Sequence, residues 1–332
     1  MKQEFTTWYN KNYKKLLVLP SILLALSIIY LGFFYIQNND IIHKDVSLTG
    51  GTTITIFTDA SLSELEQELS SEFPNLIVRG LSDNTGKQDK VIITVPDDPE
   101  KLQSALENYL GFELDEKNSS IEFTGSSLSE DFYQQLLLAV TFAFLLMALV
   151  VFIIFAKKFK IKLLAVLLTL VSFFFITRNN TTFFILAIIT ILATIYIYIK
   201  YSIPSFAVIL SAFADITMTL AVIDLIGMEV STAGIVALLM LIGYSVDTDI
   251  LLTTRLLRRN KDVNNALFGA FKTGTMMTLT SIIAIAAALI IVFQVSEVLT
   301  QIFTVLLIGL GFDLFNTWIT NASIIKWYTE TR

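Results

Sequence analysis

The sequence predicts a polytopic α-helical membrane protein that carries one soluble α+β domain outside the membrane. Of its 332 residues, 54% are hydrophobic and only 16% are charged, which lies outside the usual range of soluble globular proteins. Eight apolar segments are long enough to span a hydrocarbon core of about 30 Å. Between the first two of them, an acidic stretch of about 90 residues alternates short strand and helix patterns.

The first predicted span, residues 16–36, is interpreted as an uncleaved anchor, because it is long for a signal-peptide core and no small-x-small cleavage site follows it. The other spans are predicted at about 132–156, 161–177, 182–199, 204–227, 232–254, 273–293 and 298–325. With a cytoplasmic N-terminus, 16 Lys and Arg fall in cytoplasmic segments and only Arg178 falls in a short outer loop. We therefore expect a multi-pass protein of the cytoplasmic cell membrane with both termini in the cytoplasm.

Five segments follow from this pattern. They are an N-terminus with the first span (1–37), an extracytoplasmic domain (38–131), the second span (132–156), an apolar hairpin (157–201) and a C-terminal bundle with a short tail (202–332). The two spans of the hairpin are short, and removing them leaves six spans in the same orientation. The membrane part is thus predicted as a six-span transporter-like core with an extra hairpin.

The soluble domain is predicted to have the ferredoxin-like order βαββαβ. Its strands are expected at 52–57, 75–81, 90–95 and 120–125, and its helices at 61–73 and 99–110, the first with a capping box between Ser61 and Glu64.

Residues 38–131 contain 19 acidic and 6 basic side chains, so nucleic-acid binding is disfavoured. The chain has no Cys, which excludes thiolate chemistry, and its one histidine, His43, is interpreted as a solvated loop residue; no cofactor or metal is predicted.

Four aspartates interrupt the apolar spans: Asp215, Asp247, Asp249 and Asp313. Each costs about 2.5–3.5 kcal/mol to insert at a helix centre, so the set calls for a compensating reason. One interpretation is a proton or ion relay, because a desolvated carboxylate exchanges its proton as a cavity opens and closes. The other is that they join helices through hydrogen bonds with Thr217, Thr248 and Thr317.

Helical geometry separates two of these acids. Asp247 and Asp249 are two residues apart and therefore point about 200° apart around a helix axis, so each must face a different neighbour. Arg255 is interpreted as a cytoplasmic anchor, and Lys272 either extends to the interface or counters a buried carboxylate. Asp224 is expected near the outer interface, where ionisation costs little.

An intramembrane aspartyl protease would carry GxGD on one helix and YD on another. The nearest string here is GLGFD, in which Asp313 comes one residue too late, and no span contains YD. A slip of one residue turns the carboxylate by about 100° around the helix. A protease therefore remains only a remote alternative, and the chain is predicted not to be an enzyme.

Several strings resemble a known family. They are LTGGT (48–52), SFAVILSAFADI (205–216), LIGYSVDTDILLTTRLLRR (241–259), KTGTMMTLTS (272–281) and DLFNTW (313–318). Together they resemble the SecD/SecF family of protein-export membrane subunits, within the resistance-nodulation-division superfamily, and most closely its archaeal SecF-type members. The residues that carry the motifs are Gly50, Gly51, Gly243, Tyr244 and Arg255.

The resemblance implies an accessory subunit of the Sec translocase that pairs with SecD and assists export through the SecY channel. It implies that the outer domain engages exported polypeptide and that a proton or ion gradient drives the step. By position, the bacterial key aspartate falls at Thr248 and the SecD aspartate at Asp247, while Asp249 is an archaeal-type addition and the bacterial arginine aligns with Lys272. Residues 157–201 have no counterpart in the six-span form, so they are interpreted as an insertion.

One further alternative is a half-size resistance-nodulation-division transporter for lipids or small molecules. It predicts a second homologous half and a substrate cavity in place of an association with the translocon. Exported polypeptide and the lipid bilayer are the other partners expected under the export hypothesis.

Overall fold

The computed structural model describes residues 9, 11–58, 60–73, 76–82, 88–96, 99–115, 117–178, 180–257, 263–293 and 295–331. Its elements in chain order are α1 (Val18–Asn38), α2 (Val46–Thr49), β1 (Gly51–Ile56), α3 (Leu62–Leu69), β2 (Ile77–Ser82), β3 (Gln88–Val95), α4 (Pro99–Leu110), β4 (Ser119–Thr124), α5 (Ser126–Phe155), α6 (Phe159–Ile176), α7 (Thr181–Tyr201), α8 (Ile203–Leu225), α9 (Thr232–Leu256), α10 (Val263–Val292), α11 (Glu297–Asn316), a π-helical segment (Thr317–Asn321) and α12 (Ala322–Thr331). Eight helices of the described residues are long and apolar enough to cross a membrane, and they match the eight predicted spans.

Polar caps set where the later spans begin. Ser231 Oγ accepts from the Ala233 amide at 3.1 Å at the start of α9, and Asn180 Oδ1 accepts from the Thr182 amide at 2.9 Å at the start of α7. At the start of α8, Ser202 caps the helix and Pro204 stands in the first turn, where its missing N–H is not needed. The short polar links between apolar runs therefore fix the helix ends.

The bundle has an interior and a periphery. The inner helices α8 and α9 are mostly buried, and they pack on each other and on α11. In contrast, α1 and α10 are largely exposed, and the α6–α7 hairpin packs on α5 and α8 through a cluster that includes Phe152, Ala165 and Tyr198. Polar side chains placed on α8, α9 and α11 are thus the ones removed from lipid.

The soluble domain forms a four-stranded antiparallel sheet in the order β2-β3-β1-β4, with α3 and α4 on one face. The predicted succession of strands and helices is present, although α3 ends at Leu69 where the prediction extended to residue 73, and residue 75 lies outside the described residues. The predicted capping box is wrong: Ser61 makes no side-chain cap, and its hydroxyl lies 3.0 Å from Ser63 Oγ.

Arg79 joins the soluble domain to the bundle. Its guanidinium donates to Glu229, which precedes α9, at 3.0 Å. It also forms an ion pair with Glu297, the first residue of α11. These pairs border a cavity of about 450 Å³ between the uncovered face of the sheet and the ends of the spans that face the soluble domain. Arg79 therefore joins the sheet to the segments where α9 and α11 begin.

We expect Arg79→Ala to loosen the domain without unfolding it, because Arg79 is part of a network of two ion pairs outside both hydrophobic cores. Limited proteolysis of the full chain should become about threefold faster in the segments that join the domain to the bundle. Lys117→Ala, which removes an exposed lysine from the same domain, is the control. Equal cleavage rates for the two variants would contradict the assigned role of Arg79.

A second polar contact ties the end of α1 to the start of α5. Lys44 Nζ lies 2.8 Å from Asp40 and 3.5 Å from Glu130, and Tyr133 donates a 2.5 Å hydrogen bond to Asp40. Burial alone would lower the pKa of Lys44, but its hydrogen bond to Asp40 and the charges of Asp40 and Glu130 outweigh this and raise that pKa. The folded state therefore favours the charged ammonium.

The sign of the shift determines a pH dependence. The stabilisation from Lys44 should be complete below pH 10.5, the ordinary lysine value, and should be lost as pH rises through the raised pKa. Lys44→Gln should lower the Tm by about 2 °C at pH 8, and this difference from the unmodified chain should shrink at strongly alkaline pH. Thermal unfolding of both chains from pH 8 to strongly alkaline pH tests this prediction. A Tm difference between them that grows with pH would contradict it.

Candidate functional site

Asp215 lies at the centre of a buried polar cluster between α8, α9 and α11. Its side chain is fully buried. Ser245 of α9 donates a 2.6 Å hydrogen bond to Oδ2, and Asn316 at the end of α11 donates a 2.8 Å bond to Oδ1. Both carboxylate oxygens are thus satisfied by neighbouring spans, as a buried polar group requires.

Asp249 is also fully buried, but its carboxylate is only partly satisfied. Asn321 donates a 2.8 Å bond to Oδ1, while Oδ2 has no hydrogen-bond partner in the described part of the chain. Ser211 and Thr317 stand beside this carboxylate, and the Ser211 hydroxyl is itself buried and unpartnered. The free oxygen leaves a place where a proton or a cation could be bound.

The third buried carboxylate belongs to Asp313. Thr317, one turn later, donates to Oδ1 at 3.1 Å, and Thr278 of α10 donates to Oδ2 at 3.4 Å. Asp215, Asp249 and Asp313 lie on α8, α9 and α11, three spans that pack on one another, so the three acids share one desolvated interior. Three adjacent carboxylates cannot all be ionised cheaply in a desolvated interior, which favours binding of protons or cations by the set.

A π-helical segment at Thr317–Asn321 places the amide groups of this cluster. The wider turn interrupts the last span between α11 and α12, and such segments in α-helices are frequent at functional sites. Asn316 and Asn321, at its two ends, are both fully buried and donate to Asp215 and Asp249 respectively. The two asparagines thus support two carboxylates on two different helices.

Asp247 does not join this cluster. It lies on the opposite side of α9 from Asp249, at the surface of the chain, and no described residue donates a hydrogen bond to its carboxylate. The same side of α9 carries the exposed residues Val236, Met240, Gly243 and Tyr244. This surface, Val236–Asp247, is called the α9 stripe below; Thr248, between the two acids, is buried against α10 near Gly274.

Lys272 and Arg255 lie apart from the buried carboxylates. Lys272 is exposed, and none of the described carboxylates lies within ion-pair distance of it, so the structure does not bring it to the buried acids. Arg255 donates to Gly269 O at 2.8 Å and to Thr273 Oγ1 at 2.9 Å. Arg255 therefore connects the end of α9 to α10, a contact that the sequence did not predict.

The motif glycines Gly50 and Gly51 make the turn that enters β1. Their φ angles are 84° and 142°, which disfavour residues with a side chain. A Cβ on Gly51 would lie 2.9 Å from both Pro96 Cα and Val46 Cγ1, so the chain passes here with no room for one. These two glycines position the first strand over the end of the bundle that faces the soluble domain.

Asp224 differs from the sequence expectation, whereas His43 is exposed in a loop segment as predicted. Asp224 is buried, with a fully buried side chain, where the sequence suggested easy ionisation at an interface. Its Oδ1 lies 3.6 Å from Nε2 of His43, whose half-exposed ring packs edge-on against Phe34 at 4.7 Å. The fold buries the end of α8 beneath the segment that follows α1, which the sequence pattern could not show.

Sequence reasoning missed the amide and hydroxyl donors of the cluster. Asn316, Asn321, Ser245 and Thr278 were not singled out, although the two asparagines fall five residues apart in an apolar span. Five residues are more than one turn of an α-helix and equal the i→i+5 hydrogen-bond spacing of a π-helix. This spacing is the feature of the sequence from which the two asparagine donors could have been predicted. Of the predicted site residues, Asp215, Asp249 and Asp313 come together, and Asp247 and Lys272 do not join them.

The chain is similar to known membrane proteins over almost its whole length. Residues 107–178 and 175–331 match the family described as protein export membrane protein SecD/SecF, C-terminal. The chain is 35% identical over 330 residues to the protein-export membrane protein SecF of Methanocaldococcus jannaschii, covering 97% of this chain and 98% of that one. It is 29% identical to SecF of Pyrococcus furiosus, covering 96% and 92%, respectively.

One solved structure shares the fold. It is SecDF, described as a translocon-associated membrane protein, from Thermus thermophilus, with a TM-score of 0.58, 17% identity, and coverage of 96% of this chain. The present chain corresponds to 38% of the SecDF chain. At this identity the likeness concerns the fold alone.

The fold and the match to the family model define a polytopic membrane protein of the SecD/SecF class, with one soluble domain between its first two spans. Within that class, the family is shown by sequence identity to SecF proteins over nearly the full length of the chain. The chain belongs to the SecF family of protein-export membrane proteins.

Proposed function

We propose that this protein is the SecF-type accessory subunit of a Sec protein translocase, which pairs with SecD and assists export of polypeptides through the SecY channel. The observation that carries the proposal is similarity to SecF proteins over 97% of the chain. The proposal includes no enzymatic step; Ser245, Asn321 and Thr278 donate to the three buried aspartates from neighbouring helices, which is compatible with a structural or ion-binding role.

The α9 stripe supports the pairing with SecD. An ionisable residue facing lipid is costly, so Asp247 at the surface of a span indicates a protein or water-lined neighbour. Gly243 lies one turn before it, and a Cβ at this position would meet no atom within 4 Å, so a second helix has room to approach. A SecD helix packed on this stripe would cover Asp247 and Tyr244 together.

The buried cluster supports coupling to an ion gradient. Asp215, Asp249 and Asp313 supply three buried carboxylates, and the unpartnered Oδ2 of Asp249 provides a binding position. Uptake of a proton or cation would relieve the mutual repulsion of the set and alter packing between α8, α9 and α11. Such a change of packing is a means by which a gradient could be linked to movement of the outer domain.

The finer architecture belongs to the same proposal. We assign the soluble domain to the ferredoxin-like class on its antiparallel order β2-β3-β1-β4. The membrane part would be a six-span core with the α6–α7 hairpin as an insertion, in a cytoplasmic membrane with both termini cytoplasmic and residues 38–131 outside. The peripheral position of α6 and α7 supports the insertion, because they add surface without contributing to the buried acids.

Co-purification tests the proposal. The tagged full chain, extracted from its own membranes in mild detergent, should retain SecD and, at lower yield, SecY. Recovery of a lone homo-oligomer with bound lipid would instead favour a half-size transporter for lipids or small molecules. Recovery without SecD would overturn the proposed pairing.

A further inference from the structure

A notch opens at the end of the bundle away from the soluble domain, where α5 ends and α8 begins. Its volume is about 400 Å³, and its wall includes Lys157, Tyr201, Ser202, Pro204, Leu257 and Tyr328. Between α5 and α6, the backbone is extended at Ala156 and Lys158, so no helical turn stands at this side of the notch. The notch therefore lies where the spans meet the membrane surface.

The surroundings of the notch are strongly basic. Lys157, Lys158, Lys160, Lys162 and Lys200 lie in the two segments that border it, and the chain contains no Asp or Glu between Asp131 and Asp215.

No described carboxylate forms an ion pair with Lys157 or Lys200. The acid closest in sequence to Tyr328 is Glu330, which already accepts a hydrogen bond from Tyr13 and lies 3.8 Å from Lys326. The positive charge at the notch is thus uncompensated within the described part of the chain, which favours an anion.

Apolar surface continues from the notch along the hairpin into the membrane. Phe159 is 78% exposed and Tyr196 is 61% exposed, and Leu163 and Ile199 extend the same apolar cover. Lys200 Nζ lies 5.4 Å from the Tyr196 ring and 5.7 Å from the Tyr201 ring, an arrangement of amine and aromatic groups typical of the membrane interface. A ligand that fits both surfaces needs an anionic head and hydrocarbon chains.

We infer that this notch binds the phosphate group of an anionic membrane lipid, with Lys157 of its wall next to the phosphate, Lys200 beside the wall residue Tyr201, and the acyl chains along α6 and α7. A free phosphate would satisfy the lysines but leave the apolar faces uncovered. A zwitterionic lipid would bring a cation to a site that is already positive. The hairpin thus has a binding role that does not depend on the export function.

The test is thermal unfolding of the purified full chain in a neutral detergent, titrated with dioctanoyl phosphatidylglycerol. Dioctanoyl phosphatidylcholine and sn-glycerol 3-phosphate are titrated in parallel. The double variant Lys157→Gln/Lys200→Gln is compared with Lys11→Gln/Lys15→Gln, which removes two exposed lysines near the start of the first span. Lys157→Gln alone repeats the test with one charge removed.

We expect phosphatidylglycerol to raise the Tm, with a half-maximal concentration about tenfold higher in the notch double variant and about threefold higher in Lys157→Gln. The matched control should stay within about twofold of the unmodified chain. Equal weakening in both double variants would overturn the site in favour of general surface charge. Equal stabilisation by phosphatidylcholine, or by glycerol phosphate, would overturn the anionic lipid as its ligand.

Discussion

Asp249→Asn should lower the export rate of a secreted reporter about tenfold at equal membrane abundance, and should remove its dependence on the ion gradient. The exchange keeps the shape of the side chain, and the new amide oxygen can still accept the hydrogen bond from Asn321. It removes the negative charge of this position and its ability to take up a proton. The measurement is reporter secretion with and without an uncoupler.

A matched variant separates this role from helix packing. Asn321→Ala deletes the donor to Asp249 and should cost about 1–3 kcal/mol of stability, because a buried carboxylate oxygen loses its partner. It should leave the remaining export sensitive to the gradient. If Asn321→Ala and Asp249→Asn reduced export equally and both stayed gradient-dependent, the carboxylate would serve only to join helices.

Gly243→Leu should reduce recovery of SecD with the tagged chain about tenfold, without lowering the Tm of the chain itself. A Cβ at this position meets no atom within 4 Å, so the larger side chain costs nothing inside the chain. It would stand in the space that a partner helix needs on the α9 stripe. Quantitative co-purification and a thermal unfolding curve supply the two measurements.

Gly32→Leu is the control, because Gly32 of α1 is also exposed in a membrane span and also has no atom within 4 Å of its Cβ position. SecD recovery should be unchanged in this variant. If both leucine variants lost SecD to the same extent, or if neither did, the α9 stripe would not be the surface that pairs with SecD.

Much of the fold was predictable because membrane spans and amphipathic strands leave strong local patterns. The eight apolar runs have the length that a bilayer requires, and all eight are helices. The strand pattern of β1 and the apolar period of α3 identified the soluble domain in the same way. The short local contact at Ser61 was predicted wrongly, since its hydroxyl contacts the Ser63 hydroxyl instead of a backbone amide of the helix.

The candidate site was predictable only in part. The cost of a carboxylate in an apolar span drew attention to all four aspartates, and helical geometry correctly placed Asp247 and Asp249 on opposite sides of α9. Which side faces the interior depends on how α9 packs on α8 and α11, and nothing local to the helix encodes it. The burial of Asp224 and the position of Lys272 away from the buried acids also depend on how the helices pack.

The sequence by itself determined the spans, the soluble domain, the positions of the acids and the resemblance to an export family, because each depends on composition or on spacing along one helix. The tertiary structure alone decided that Asp215, Asp249 and Asp313 meet, that Asn316 and Asn321 hold two of them, and that Asp247 remains at the surface. These facts depend on contacts between residues up to 101 positions apart, such as Asp215 with Asn316. Such contacts are set by how whole helices pack, so only the assembled bundle separates the three buried carboxylates from the one at the surface.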